Sequence, residues 1–532
     1  MQFDYIIVGA GTAGCVLANR LSENPLIQVL LVEAGMDSRD PRITMPSSYP
    51  LLNGTYLNWN FFTEPQAKLG GRKIYQPRGK AMGGSSAINC MAYIRGNRAD
   101  FDGWSAMGCA GWDYEHILPY FKKSENNIRF SNEYHGQGGP LTVSDPKHLT
   151  PFGQAFIQAC GEIGIAETDD FNGARQIGAG MFQFAIENGE RVSGAKAFIY
   201  PVLKRKNLKV LSQFMVGELL FEGDRVKGIS GWASGKKSAE SIFASREVIL
   251  SAGSFQSPQL LMLSGIGPKE YLREFGIESR VDLAGVGQNL SDHLFVNMHA
   301  EASTDHVSFN AAISAPNFAQ YTWNKSGPLS ASPLEGCAFV DSQGGSEQPD
   351  LQFHFSSAWS LDIYDYKQMP LRDGFTCLPT LLKPASRGYV GLNSASPWDA
   401  PLIDPQYLTD AEGKDLATLV RGVKMAHQIL LAPAFDSLRK GSRLRYPSED
   451  LSEEVILKHI EMATECVYHP VGTCQMGQGA SAVTDPGSLR VRGLEGLRLI
   501  DASIMPDLVS GNTNAAVMAI AEKGADLILN NP

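Results

Sequence analysis

Apolar and polar positions follow recognisable periods from the start of the chain. Phe3–Val8 has the near-continuous apolar character of a strand buried on both faces. Residues 15–21 space their apolar side chains for a helix, and Val29–Val32 predicts a second buried strand that closes on Glu33. Further strands are predicted at Leu208–Leu211, 216–221 and 246–253. The last leads into an apolar helix with Ser257-Pro258 at its start and Gly265 as its stop. Trp112-Asp113 opens a helical pattern through Ile117, Leu118 and Phe121. From about residue 296 to 460 the pattern changes. Alternation at 351–355 and 389–392 predicts half-buried strands, and helical spacing returns between Glu412 and Leu430. Near the end, 497–500 predicts another buried strand and 515–522 an apolar helix.

Between the first strand and the first helix stands Gly9-Ala10-Gly11-Thr12-Ala13-Gly14. A strand, glycine turn, helix and second strand ending in an acid is the arrangement a dinucleotide requires. Gly9 permits the tight turn, Gly11 lets backbone approach a pyrophosphate, and Gly14 lets the helix pack against the sheet. The helix N-terminus faces the phosphates with partial positive charge, and Glu33 can accept from a ribose hydroxyl. FAD and NAD use the same cradle, so the motif leaves both open.

The length, 532 residues, exceeds what one core usually holds, so two domains or lobes are expected. A net charge of -10 argues against nucleic-acid binding and against a broadly basic face drawn to membranes. It leaves room for a small hydrophobic membrane contact. The eight cysteines are scattered without CxxC pairs or zinc-ligand spacing, so no metal site is expected. Buried thiols in a reducing compartment are the reading, for Cys466 and Cys474 as for the others. Met1-Gln2 runs straight into the first strand, and no apolar run is long enough to span a bilayer. The expected location is cytoplasmic, or peripheral on the cytoplasmic face of the inner membrane.

A second glycine-rich segment, Pro77-Arg78-Gly79-Lys80-Ala81-Met82-Gly83-Gly84-Ser85-Ser86-Ala87-Ile88-Asn89, lacks the GK[ST] ending of a P-loop. Its paired glycines suit close backbone approach to a flat or anionic ligand. Residues 79–93 resemble the first signature of the glucose-methanol-choline (GMC) family of flavoprotein oxidoreductases, and residues 253–267 resemble the second. The likeness covers nearly the whole chain. It implies an α/β fold: a Rossmann-like FAD-binding domain with an inserted α+β substrate domain, an antiparallel sheet flanked by helices. We expect the FAD-binding domain at 1–150, 190–297 and 461–532, and the substrate domain at 151–189 and 298–460.

The resemblance also implies site residues. Besides Gly9, Gly11, Thr12, Ala13, Gly14, Glu33 and Ala34, cofactor-binding positions are Trp59, Met82, Gly83, Ser86, Asn89, Cys90, Met91, Ala92, Val216, Ala252, Tyr468, Asp501, Ala502, Asn512 and Thr513. Trp59 by itself reads first as core. Some members attach FAD through a histidine in the first signature; Ile88 stands there, which implies non-covalent FAD. Tyr468-His469-Pro470 and Gly511-Asn512-Thr513-Asn514 match the segments carrying the family's catalytic pair, which places that pair at His469 and Asn512. His469 would take a hydroxyl proton, Asn512 would orient the substrate oxygen, and flavin N5 would accept the hydride.

The closest branch is that of bacterial alcohol and choline dehydrogenases. It implies a primary alcohol as substrate and a quinone or other electron acceptor; the oligomeric state stays open. Rival readings are an oxidase releasing peroxide, a choline dehydrogenase-like activity, a hydroxynitrile lyase and a non-catalytic FAD-binding protein. Glu335 aligns loosely with an acid of choline-handling members, and reads equally as a buried structural acid. His293 has no histidine or cysteine at ligand spacing and reads as structural. The aromatic stretch from Ser356 to Tyr366 reads as a lid, an interfacial loop or plain packing.

Overall fold

The computed structural model describes residues 3–37, 40–303, 308–309, 313–359, 373–441, 444 and 451–530. Its first sheet contains five parallel strands in the order Leu208–Leu211, Val29–Val32, Phe3–Val8, Glu240–Leu250 and Leu497–Leu499. Distant parts of the sequence thus meet in one layer. The strand Glu240–Leu250 is long enough to serve twice. Its second half runs parallel to Phe3–Val8, with Ile7 opposite Ile249. Its first half pairs antiparallel with Arg225–Ala233, which in turn pairs with Phe214–Glu222. The helices Thr12–Leu21 and Asn514–Asn530 pack together, and their first turns are joined by Thr12 Oγ1 donating to Asn514 Oδ1 at 2.7 Å.

The second sheet is antiparallel. It runs Thr464–Cys466, Leu294–Val296, Gly374–Leu381, Leu351–Ser356, Leu334–Val340 and Gly178–Met181, with Met298–Glu301 also paired to Gly374–Leu381. Helices Pro151–Glu162 and Lys414–Leu431 cover one face. This sheet reaches a few residues past the expected substrate segment at both ends, because Leu294–Val296 and Thr464–Cys466 pair with each other as the chain enters and leaves it.

Two local expectations change, while the strand expected at 389–392 is found at Tyr389–Gly391. Leu351–Ser356 is buried at every position rather than on one face. Leu351, Phe353 and Phe355 meet the covering helices, while His354 and Ser356 line a cavity on the other side. Tyr389–Gly391 pairs with Leu402–Asp404 in a separate small hairpin. Pro258 lies inside the helix Gly253–Leu263 rather than at its start. Proline brings no N–H to the carbonyl four residues before it. That carbonyl, of Ser254, instead accepts from Thr473 Oγ1 at 2.7 Å, which stitches the helix to the loop after His469. Most of the aromatic stretch expected as a lid or packing segment lies outside the described residues. Among the described residues, no helix is long and apolar enough to cross a membrane.

Candidate active site

The first glycine turn builds one end of a cavity of about 450 Å³. Gly9 has φ +99°, and a Cβ there would lie 2.5 Å from Ser251 O. A Cβ on Gly14 would meet Gly9 O, so this glycine serves packing rather than ligand contact. Gly11 leaves its side of the turn open, with nothing nearer than 4.0 Å to an added Cβ. The helix beginning at Thr12 has no side chain capping its N-terminus, so its first N–H groups remain directed at the cavity. The second glycine-rich segment closes over the turn: Gly83 N donates to Ala10 O at 2.7 Å, and a Cβ on Gly84 would be 2.7 Å from Gly11 Cα. The two backbones are in direct contact and together form one wall of the cavity, a surface free of side chains that a flat, anionic cofactor can approach closely. Glu33 also lines the cavity, its carboxylate held by N–H groups of Ala10 at 2.9 Å and Gly35 at 2.8 Å. Burial raises its pKa to about 7. These features fit FAD.

His469 lines the same cavity. Its backbone N donates to Asp292 Oδ1 at 2.7 Å, and the preceding residue, Tyr468, is held at φ +65°. The next residue in sequence after Asp292, His293, holds its ring: the two Nδ1 atoms are 3.0 Å apart and the rings meet edge to face. The other nitrogen of His293, Nε2, is 3.0 Å from Leu382 O. A carbonyl only accepts, so His293 carries its proton on Nε2 and presents a bare Nδ1. His469 must then donate from Nδ1, which leaves its Nε2 as a lone pair. Asn512 Nδ2 stands 3.3 Å from that lone pair, and Asn512 Oδ1 has no protein partner.

Burial keeps both rings neutral. Desolvation, aided by the Lys383 ammonium, lowers His293 to about 3. Desolvation and the neighbouring His293 hold His469 well below the ordinary histidine value of 6.5. A base must be unprotonated to accept a proton, so the rate of flavin reduction by alcohol stays level from neutral pH down through 6.5 and falls only in more acidic solution. A stopped-flow pH series with an acid limb centred at or above 6.5 would contradict this assignment.

The loop bearing Asn512 is anchored independently. Ser510 donates from both N and Oγ to Asp100, at 2.6 and 2.8 Å, while Asp507 pairs with Lys383 and Arg387. Asp501 caps the helix Gly253–Leu263: Gly253 N donates to Oδ2 at 2.8 Å, Ser257 Oγ donates to it at 2.6 Å, and Oδ1 accepts from Ser503 N at 2.8 Å.

Of the residues expected at the site, Gly9, Gly11, Thr12, Ala13, Glu33, Ala34, Trp59, Asn89, Cys90, Ala92, Val216, Ala252, Tyr468, His469, Asp501, Ala502, Asn512 and Thr513 line this one cavity. Gly14, Met82, Gly83, Ser86 and Met91 do not. Gly83 and Ser86 act behind the wall, Gly83 through Ala10 and Ser86 by accepting from Gly194 N at 2.9 Å. Met82 and Met91 are buried in the core. Sequence reasoning missed His293, Arg78, the Ser47-Ser48-Tyr49 turn, His354 and Arg191. Arg191 does not line the cavity but pins its wall, donating to Ile43 O at 2.9 Å and Asn89 Oδ1 at 2.8 Å. Glu335 lies outside the lining. Its Oε1 accepts from Thr150 N at 3.0 Å and Ser357 Oγ at 3.1 Å, and its Oε2 from Thr150 Oγ1 at 2.9 Å. All eight cysteines are free thiols. No cluster among the described residues could hold a metal ion.

The N-terminal sequence profile of the GMC oxidoreductases matches residues 3–295, and their C-terminal profile matches residues 384–521. The chain is a GMC oxidoreductase. It is 42% identical to an alcohol dehydrogenase [acceptor] of Pseudomonas putida, over 99% of this chain and 96% of that protein. It is 39% identical to the mitochondrial choline dehydrogenase of Homo sapiens, over 100% of this chain and 90% of that one. Among solved structures it superposes on pyridoxine 4-oxidase from Mesorbium loti with a TM-score of 0.90 at 30% identity, covering both chains completely. This GMC oxidoreductase is therefore an FAD-dependent enzyme that dehydrogenates an alcohol, and the glycine-built wall of the cavity fits that cofactor. Ile88 lines the cavity there and offers no nucleophile. Acid precipitation accordingly releases the flavin into the supernatant; yellow colour retained on the denatured polypeptide would contradict that.

Proposed function

We propose that this enzyme oxidises an uncharged primary alcohol to the aldehyde, with His469 as the base and Asn512 as the orienting group. The observation that carries the reading is the bare Nε2 of His469, buried beside the Asn512 amide at the end of a cavity whose outer wall is apolar. Phe295, Phe309, Phe318, Leu329, Leu334 and Leu378 form that wall, and no described residue of the second sheet brings a charged side chain into it. A quaternary ammonium binds best to a carboxylate or an open aromatic cage. Glu335, the acid its sequence position suggests for such a role, lies outside the lining and is committed to Thr150 and Ser357.

FAD, when bound, supplies the two-electron acceptor for the hydride. The protein's own work is at the hydroxyl. An alcohol oxygen entering between His469 and Asn512 donates its proton to His469 Nε2 and accepts from Asn512 Nδ2. The resulting charge on His469 strengthens its Nδ1–H bond to His293, so positive charge develops where a hydrogen-bond acceptor is already in place. The acceptor that reoxidises the enzyme is, on this reading, a quinone-type compound rather than oxygen; the Pseudomonas relative's name leaves its own acceptor unspecified.

Two measurements test the proposal. Anaerobic flavin reduction by choline is compared with reduction by its isostere in which carbon replaces the ammonium nitrogen; the neutral compound reduces the flavin faster. Faster reduction by choline would overturn the uncharged-substrate reading. Stoichiometric peroxide during aerobic turnover would overturn the acceptor.

A further inference from the structure

The two groups that meet at the hydroxyl hang from different parts of the fold. His293 immediately precedes the strand Leu294–Val296, and His469 follows the neighbouring strand Thr464–Cys466. Leu382, whose carbonyl accepts from His293 Nε2, immediately follows the strand Gly374–Leu381 that pairs beside them. The base is thus held from one corner of the second sheet. Asn512 instead leads into the helix Asn514–Asn530, which packs with Thr12–Leu21 beside the first sheet. No common element sets the 3.3 Å between His469 Nε2 and Asn512 Nδ2.

Lys383 spans this junction. Its main chain adjoins Leu382, and its ammonium donates to Asp507 Oδ2 at 2.8 Å, Leu508 O at 2.6 Å and Asp100 Oδ1 at 3.2 Å. Asp100 also accepts from Ser510 N and Oγ, shortly before Asn512 in the same loop. An ammonium has three protons to donate, so none is left for a ligand. Lys383 does not line the cavity either. Arg387 holds Asp507 as well, at 2.8 Å, but its other partners are Asn289, Pro384 and Ser386 rather than Leu508 or Asp100. We propose that Lys383 is a positioning residue for the oxidation: by bridging the end of the strand Gly374–Leu381 to the loop before Asn512, it fixes the gap between base and amide into which the hydroxyl must fit. The hydroxyl oxygen has to meet both groups at hydrogen-bond distance, and a displacement of about 1 Å at such a site can cost about 100-fold in rate. The inference rests on the reading of His469 as the base and Asn512 as the orienting group.

The test is a double-mutant cycle on the holoenzyme. It is read as the limiting rate constant of anaerobic flavin reduction by choline or its neutral isostere, whichever reduces the wild type faster. Lys383→Met keeps the length of the side chain and removes its charge and protons; it slows reduction by about tenfold. Lys383→Arg keeps charge and donors and recovers about threefold or more of that loss. In Asn512→Ala no amide is left to misplace, so adding Lys383→Met slows the enzyme by less than about twofold. A Lys383→Met enzyme that reduces its flavin at the wild-type rate would overturn the inference. So would a loss as large in Asn512→Ala as in wild type, since that is the mark of general damage rather than of positioning.

Where Lys383→Met does not accumulate as holoenzyme, Asp507→Asn weakens the same bridge from the loop side. It goes through the same cycle, with the same two results against the inference. Failure of the underlying reading looks different. Asn512→Ala then reduces its flavin as fast as the wild type, whereas failure of the inference alone leaves Asn512→Ala slow and the two substitutions additive.

Discussion

His469→Ala lowers the rate constant of anaerobic flavin reduction by about 100-fold or more, the usual worth of a positioned general base. The loss falls on the reductive step. Reoxidation by the acceptor is untouched, because His469 works on the substrate's proton and not on the cofactor's electrons. Flavin content also holds, since the partners of His469 are Asp292, His293 and Asn512, none of them in the glycine segments. Near-wild-type reduction in a stopped-flow experiment would remove His469 from the mechanism. A variant that loses its flavin would show instead that this histidine is structural.

The second large effect belongs to a residue that touches neither alcohol nor flavin in this arrangement. His293→Ala removes the acceptor for His469 Nδ1–H, a bond that becomes charge-assisted as the proton is transferred. We expect flavin reduction to slow by about 10- to 100-fold, matching the roughly 1.5–3 kcal/mol of a hydrogen bond to a charged group. His293→Asn restores part of the rate, because an amide oxygen can accept from the same nitrogen. The pH profile separates positioning from general damage. His293→Ala moves the acid limb, as the constraint on the His469 tautomer is lost, whereas a variant that merely loosens the fold lowers the rate equally at every pH. Equal activity of the alanine and wild-type enzymes would mean that His469 holds its tautomer without help.

What the sequence made legible follows the range of the interactions. The first strand, glycine turn, helix and Glu33 interact within a short span, so local pattern was enough to read them. His469 and Asn512 were read from a resemblance, since a lone histidine in a polar loop carries no local mark of a base. His293 was passed over for want of a nearby histidine, yet its partner lies 176 positions away. Spacing rules cannot register a pair of that separation. Pro258 misled for a similar reason. A proline most simply begins a helix, and only Thr473, brought in by the fold, makes an interior position tolerable. The alternation at 351–355 identified a strand but not its burial, because alternation records side-chain chemistry and His354 is polar on a face that is nevertheless enclosed.

The hydrogen bond between Thr12 and Asn514 spans 502 positions. The strand Leu497–Leu499 likewise completes a sheet whose other strands come much earlier. As the polypeptide is made, the glycine cradle precedes its closing strand Leu497–Leu499 and the proposed catalytic pair, His469 and Asn512, by several hundred residues. Contacts of such sequence separation also slow folding, so refolding from denaturant is limited by assembly of the two ends, and free FAD added at the start of refolding raises the yield of holoenzyme more than FAD added afterwards.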